Sequence, residues 1–121
     1  MPKPVVLVVD DEASNQEFCR DALELNGYDV LVASDPEQAM RVLAEREVDF
    51  IICDIAMPHN GRRMFAYLLQ HFPHLRGRFI FVTGNPESKA EVERLPDAAP
   101  CLLKPYPLHL LLNLLKSALH A

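Results

Sequence analysis

Five short apolar runs divide this chain, and most of them stop at a residue with reactive chemistry. Val5-Val6-Leu7-Val8-Val9 ends in Asp10-Asp11-Glu12, and Phe50-Ile51-Ile52-Cys53 ends in Asp54. Phe79-Ile80-Phe81-Val82 ends in Thr83, and Cys101-Leu102-Leu103 ends in Lys104. Continuous apolar runs of this length predict strands buried on both faces of a parallel sheet. Tyr28 to Ala33 predicts one further strand.

Between the runs the pattern changes to helical spacing. Ala13 to Asn26 carries Phe18, Ala22 and Leu25 at helical intervals, and Gly27 follows as a C′ residue. Ser34-Asp35-Pro36-Glu37 supplies capping side chains and a first-turn proline for a helix running to about Arg46, with Ala39, Val42 and Leu43 on its inner face. A third helix is predicted from about Arg62 to Phe72, stopped by Pro73, and a weakly amphipathic fourth from about Glu87 to Leu95. Pro107 to Leu119 predicts a terminal helix. Leu108, Leu111, Leu112, Leu115 and Leu119 share one face of it, while Leu110 and Leu114 project to the other as a candidate exposed patch.

Strict β/α alternation predicts a single-domain, doubly wound α/β fold of the flavodoxin-like (βα)5 kind over residues 1–121, with right-handed crossovers. Ligands of such sheets bind beyond the carboxyl ends of the strands, at the point where strand order reverses. Convergence of Asp10 and Asp11 with Asp54 requires the first and third strands to be neighbours. That requirement selects the order 2-1-3-4-5.

Composition narrows the function. A chain of 121 residues is the size of one domain, and its formal charge of −5, without a Lys/Arg cluster, argues against direct nucleic-acid binding. Cys19, Cys53 and Cys101 have no metal-ligand spacing and their odd number argues against a disulfide framework, so a reducing cytoplasm is the expected setting. Cys53 and Cys101 are expected to pack as small hydrophobes, and His59, His71, His74, His109 and His120 to lie on surfaces. No run approaches a membrane span.

Carboxylates held together repel unless a cation compensates, so Asp10, Asp11 and Asp54 suggest a hard cation, for which Mg²⁺ is suited. Asp54, alone at its strand end, is placed to attack phosphorus, while Thr83 and Lys104 can contact the peripheral phosphoryl oxygens.

With these motifs in order, the chain resembles a response-regulator receiver domain of two-component signalling. The resemblance rests on Val9-Asp10-Asp11-Glu12, Cys53-Asp54-Ile55-Ala56-Met57-Pro58, Val82-Thr83-Gly84 and Leu103-Lys104-Pro105-Tyr106. It implies that Asp54 accepts a phosphoryl group from a phosphohistidine on a histidine kinase or phosphotransfer protein. It also implies that Asp11, Asp54 and the main-chain carbonyl of Ala56 bind Mg²⁺, with Asp10 assisting through water. Thr83 and Lys104 would contact the phosphoryl group, and the Lys104–Pro105 bond would be cis. A module of this kind switches binding to a downstream protein and turns over no separate substrate. It is expected to be a monomer or a weak homodimer through the terminal-helix face, stand-alone or cut from a larger regulator or hybrid kinase.

Two departures qualify the resemblance. Receivers commonly carry an aromatic residue three positions before the lysine, where this chain has Cys101, and the loop from Asp54 to Gly61 reads one residue short. The competing reading is a pseudo-receiver that binds proteins without taking phosphate. A haloacid-dehalogenase-type phosphohydrolase would need an Asp-x-Asp motif that Asp10-Asp11-Glu12 does not provide.

Overall fold

The computed structural model describes residues 2–54, 61–94 and 99–119, with side chains at 61–65 excluded. Five strands alternate with five helices: β1 (Val5–Val9), α1 (Ala13–Leu25), β2 (Asp29–Ala33), α2 (Pro36–Glu45), β3 (Phe50–Asp54), α3 (Gly61–His71), β4 (Phe79–Thr83), α4 (Pro86–Glu93), β5 (Cys101–Leu103) and α5 (Leu108–Leu119). A 3₁₀ turn at Pro73–Leu75, not predicted from the sequence, joins α3 to β4. The strands form one parallel sheet in the order β2-β1-β3-β4-β5. Chain reversal between β2 and β3 makes β1 and β3 neighbours, as convergence of the acids requires.

Alternation along each strand explains why the runs are apolar throughout. Leu7, Val9, Ile51, Cys53, Phe79, Phe81 and Cys101 join one core layer with Ala39, Leu43, Leu68 and Val92 of the helices on that face. Val6, Val8, Phe50, Ile52, Ile80 and Val82 join the other with Cys19, Leu23, Leu111 and Leu115. Successive side chains point to opposite faces, so a strand covered on both sides cannot alternate with polar residues.

The helix ends follow the predicted chemistry. Asp35 caps α2 by accepting a hydrogen bond from Gln38 N, and Pro36 occupies the first turn. Asn85 caps α4 through Glu87 N, and Gly27 after α1 has φ +92°, a left-handed conformation that favours glycine. The fourth helix starts one residue earlier than the sequence pattern suggested, at Pro86, and its expected end at Leu95 lies outside the described residues.

Two apolar faces differ from expectation. In α1 the buried stripe is Cys19 and Leu23, whereas Phe18 and Leu25 are 58% and 87% exposed. The two stripes lie about one residue apart around the helix, and packing against the layer of Val6, Val8 and Leu111 selects the narrower one. In α5, Leu110 is exposed as expected, but Leu114 packs against the core. Among the described residues no helix is long and apolar enough to cross a membrane.

Leu115→Ala is expected to cost about 2–5 kcal/mol of folding stability by opening a cavity between α5 and the sheet. Leu110→Ala on the same helix is expected to change it by no more than about 0.5 kcal/mol. Urea denaturation midpoints of the two variants measure the contrast.

Candidate functional site

The carboxyl ends of β1, β3, β4 and β5 gather the polar residues that interrupt the apolar pattern. Val9 pairs with Cys53, so the residues that follow, Asp10 and Asp54, emerge side by side. Both are buried, at 4% and 5% exposure, while Asp11 is exposed. One carboxylate oxygen from each of Asp10, Asp11 and Asp54 lies within 4.8 Å of the other two.

Lys104 reaches this cluster from the end of β5. Its Nζ donates to Asp54 Oδ2 at 3.0 Å and lies 3.5 Å from Asp10 Oδ2. Burial alone would lower the Lys104 pKa, but the hydrogen bond and charge of Asp54, with the charge of Asp10, outweigh it and the net shift is upward from 10.5. The Lys104–Pro105 bond is cis, as the motif implied.

Asp10 is held on several sides. Its Oδ1 accepts from Glu12 N at 2.9 Å, its N–H donates to Ala33 O at 3.0 Å, and its carbonyl accepts from Gln16 Nε2 at 2.6 Å. Gln16 was invisible in the sequence, where a glutamine in the first turns of a helix has no distinguishing pattern.

Thr83 stands at the next strand end, fully buried, but its Oγ1 accepts the N–H of Asn85 at 3.1 Å. The structure thus brings Asp10, Asp11, Asp54 and Lys104 together and turns the Thr83 hydroxyl toward the start of α4. Ala56 and the loop suspected of being short lie outside the described residues.

The donor set fits a hard divalent cation. Ionised carboxylates offer only acceptor oxygens, and one oxygen from each of the three acids lies within 4.8 Å of the others, so a single cation could be shared among them. Both Asp10 oxygens already face donors, Glu12 N and Lys104 Nζ.

The cysteines are buried and pair with nothing covalently. Burial pushes the Cys101 thiol up to about 11 and raises those of Cys19 and Cys53 as well, which makes all three poor nucleophiles. Tyr106 packs in the same core layer as Cys19, and burial raises its phenol pKa. His71, His74 and His109 are exposed, while His59 and His120 lie outside the described residues.

Residues 6–116 match the response regulator receiver domain family. The chain belongs to that family. This receiver is 29% identical over 85 residues to the aerobic respiration control protein ArcA of Escherichia coli (strain K12), an alignment covering 70% of this chain and 35% of ArcA. It is 42% identical over 53 residues to the phosphate regulon transcriptional regulatory protein PhoB of Pseudomonas aeruginosa, covering 44% of this chain and 22% of PhoB. The chain therefore spans about a third or less of these curated relatives. Its fold superposes on the signal receiver domain of an HD domain-containing protein from Pseudomonas fluorescens Pf-5 with a TM-score of 0.86 and 29% identity, covering 99% of this chain and 89% of that one. It superposes on the chemotaxis protein CheY4 of Vibrio cholerae with a TM-score of 0.82 and 26% identity, covering 97% and 99%. As a receiver domain it is a phosphoacceptor module of two-component signalling rather than an enzyme with a separate substrate.

The upward shift on Lys104 fixes the sign of a pH effect. A raised lysine pKa stabilises the fold at pH below about 10.5 and ceases to do so as pH climbs through the folded value. In buffer free of divalent cations, Lys104→Met is expected to be about 1–3 kcal/mol less stable than the native chain from pH 7 to about 10. The gap should close at higher pH in paired urea titrations.

Proposed function

We propose that residues 1–121 act as one receiver domain in which Asp54 accepts a phosphoryl group from a phosphohistidine of a histidine kinase or phosphotransfer protein, with Mg²⁺ required. The observation that carries this reading is the placement of Asp54, buried at the end of β3 with Oδ2 3.0 Å from the Lys104 ammonium and inside a three-carboxylate cluster. In the transfer, a carboxylate oxygen of Asp54 forms the new P–O bond as the donor's P–N bond breaks, and the electron pair of that bond leaves with the imidazole. Lys104 moves from the carboxylates to the incoming phosphoryl oxygens, where the same positive charge offsets the charge of the transferred group. Asp11 and Asp54 would hold Mg²⁺, with the Ala56 carbonyl and, through water, Asp10. When bound, the cation supplies charge neutralisation that lets phosphate approach three acids.

Thr83 links the reaction to the surface. Its hydroxyl accepts Asn85 N and keeps its own hydrogen to donate to a phosphoryl oxygen, so a pull on Thr83 is passed directly to Asn85, the residue whose side chain caps α4. Phosphorylation therefore shifts a population between two arrangements of the β4–α4 junction, and a downstream partner that prefers one is recruited or released. Cys101 supplies no ring to rotate, so in this chain the junction itself carries the change. The same residue is what favours the alternative of a phosphate-independent protein-binding module.

Intact mass after incubation with Mg²⁺ and acetyl phosphate tests the reading. The native chain is expected to gain one phosphoryl group and Asp54→Asn none. An unmodified native chain that also takes no phosphate from a phosphorylated phosphotransfer protein would support the binding-module alternative. Independently, Mg²⁺ at about 100 times its dissociation constant is expected to stabilise the native fold by about 2.7 kcal/mol. Asp11→Asn should lose most of that gain in thermal melts.

A further inference from the structure

Gln16 occupies a place that the phosphoacceptor chemistry does not by itself explain. Its Nε2 faces Asp10 O at 2.6 Å, Ser34 Oγ at 3.3 Å and Ala33 O at 3.5 Å. Two of these are carbonyl oxygens, which only accept, so the group facing them must be the NH₂ end of the amide. The bond to Asp10 is short, and it spans from the second turn of α1 back to the end of β1.

The peptide that Gln16 grips joins two of the three acids. On one side of Asp10 the main-chain N–H is fixed to Ala33 O, and on the other the carbonyl is fixed by Gln16. The plane of the Asp10–Asp11 peptide is thereby set, and with it the direction in which the Asp11 Cα presents its side chain. Asp11 needs this help. Its carboxylate is exposed, and among the described residues no hydrogen bond or ion pair fixes it. The second anchor of the amide, Ser34, is itself held where its N–H donates to Gln38 Oε1 at 2.8 Å, beside the Asp35 cap of α2. Gln16 thus ties the ends of β1 and β2 and the start of α2 into one frame around the acids.

We propose that Gln16 is a positioning residue of the cation site: it holds the Asp10–Asp11 peptide so that Asp11 faces Asp54 before any cation arrives. The proposal rests on the reading of this cluster as the Mg²⁺ site of the phosphoacceptor. Gln16 touches neither the cation nor phosphate. It acts by removing the reorganisation that an untethered Asp11 would need at each binding event, an effect for which loss of a supporting hydrogen bond typically costs about 10–100-fold in metal affinity.

The test compares Gln16→Met, which keeps length but cannot donate, with Gln16→His, whose Nε2–H can donate and which is mostly neutral at pH 8. Mg²⁺ affinity is measured by isothermal titration calorimetry, and phosphorylation by acetyl phosphate is followed against Mg²⁺ concentration. Gln16→Met is expected to weaken Mg²⁺ binding about tenfold or more, with the loss appearing in the Mg²⁺ concentration needed rather than in the rate reached at saturation. Gln16→His should recover most of the affinity. Unfolding in EDTA checks that both variants are folded before titration. Met-variant affinity within twofold of native would overturn the proposal, as would equal weakening in both variants. A native chain that binds no Mg²⁺ would instead remove the reading on which the proposal rests, and the native titration alone reveals that case.

Discussion

Asp10 and Asp54 leave adjacent parallel strands with their carboxylates buried, and a single ammonium from Lys104 lies between them. Two buried like charges would be costly alone, and an isolated buried ammonium would be costly as well. Together they offset one another only in part, leaving one negative charge more than Lys104 can match, before Asp11 is counted. That surplus defines what the site accepts. A cation fits it directly, and a phosphoryl group fits only if a cation comes with it.

The sheet exists in the order that makes this balance possible. With β3 central and β1 beside it, two acids from separate parts of the chain need no loop to bring them together, because the strand register does so. β4 and β5 then deliver Thr83 and Lys104 at successive positions across the same edge, with Thr83 O accepting Lys104 N at 2.7 Å. Loops so positioned can vary while strand ends stay fixed, which is why the chemistry is carried by residues at or just beyond the last strand positions.

This arrangement explains what could be read from the residues alone. Buried parallel strands have no polar positions, so Val5–Val9 and Phe79–Thr83 were plain as strands, and the polar residue ending each was plain as a site candidate. The strand order followed from electrostatics once Asp10 and Asp54 had to meet. Other features depended on contacts that spacing does not encode. Phe18 and Leu25 look as fit to be buried as Cys19 and Leu23, and only the layer formed by the sheet and α5 decides between the two stripes of α1. Leu114 was assigned to the outer face because its angle alone ignores how deeply α5 sits against the sheet. The strand position of Thr83 marked its hydroxyl as a site candidate, but the N–H of Asn85 that this oxygen accepts two residues on could not be read from spacing. Gln16 showed nothing at all, since its role is defined by the main chain of residues it does not neighbour in sequence.

α4 is lightly anchored and packs on the face of the sheet opposite α5. Of its eight residues only Val92 is buried, whereas α5 seats both Leu111 and Leu115 in the core. Free energies of local opening scale with such burial, so the amides of α4 should be released to deuterium well before those of α5 or the central strands. A helix held by so little burial costs little to displace. The bond from Asn85 N to Thr83 is therefore a catch on a loosely hung door, and a small rearrangement at the acids can expose or hide a whole turn of surface.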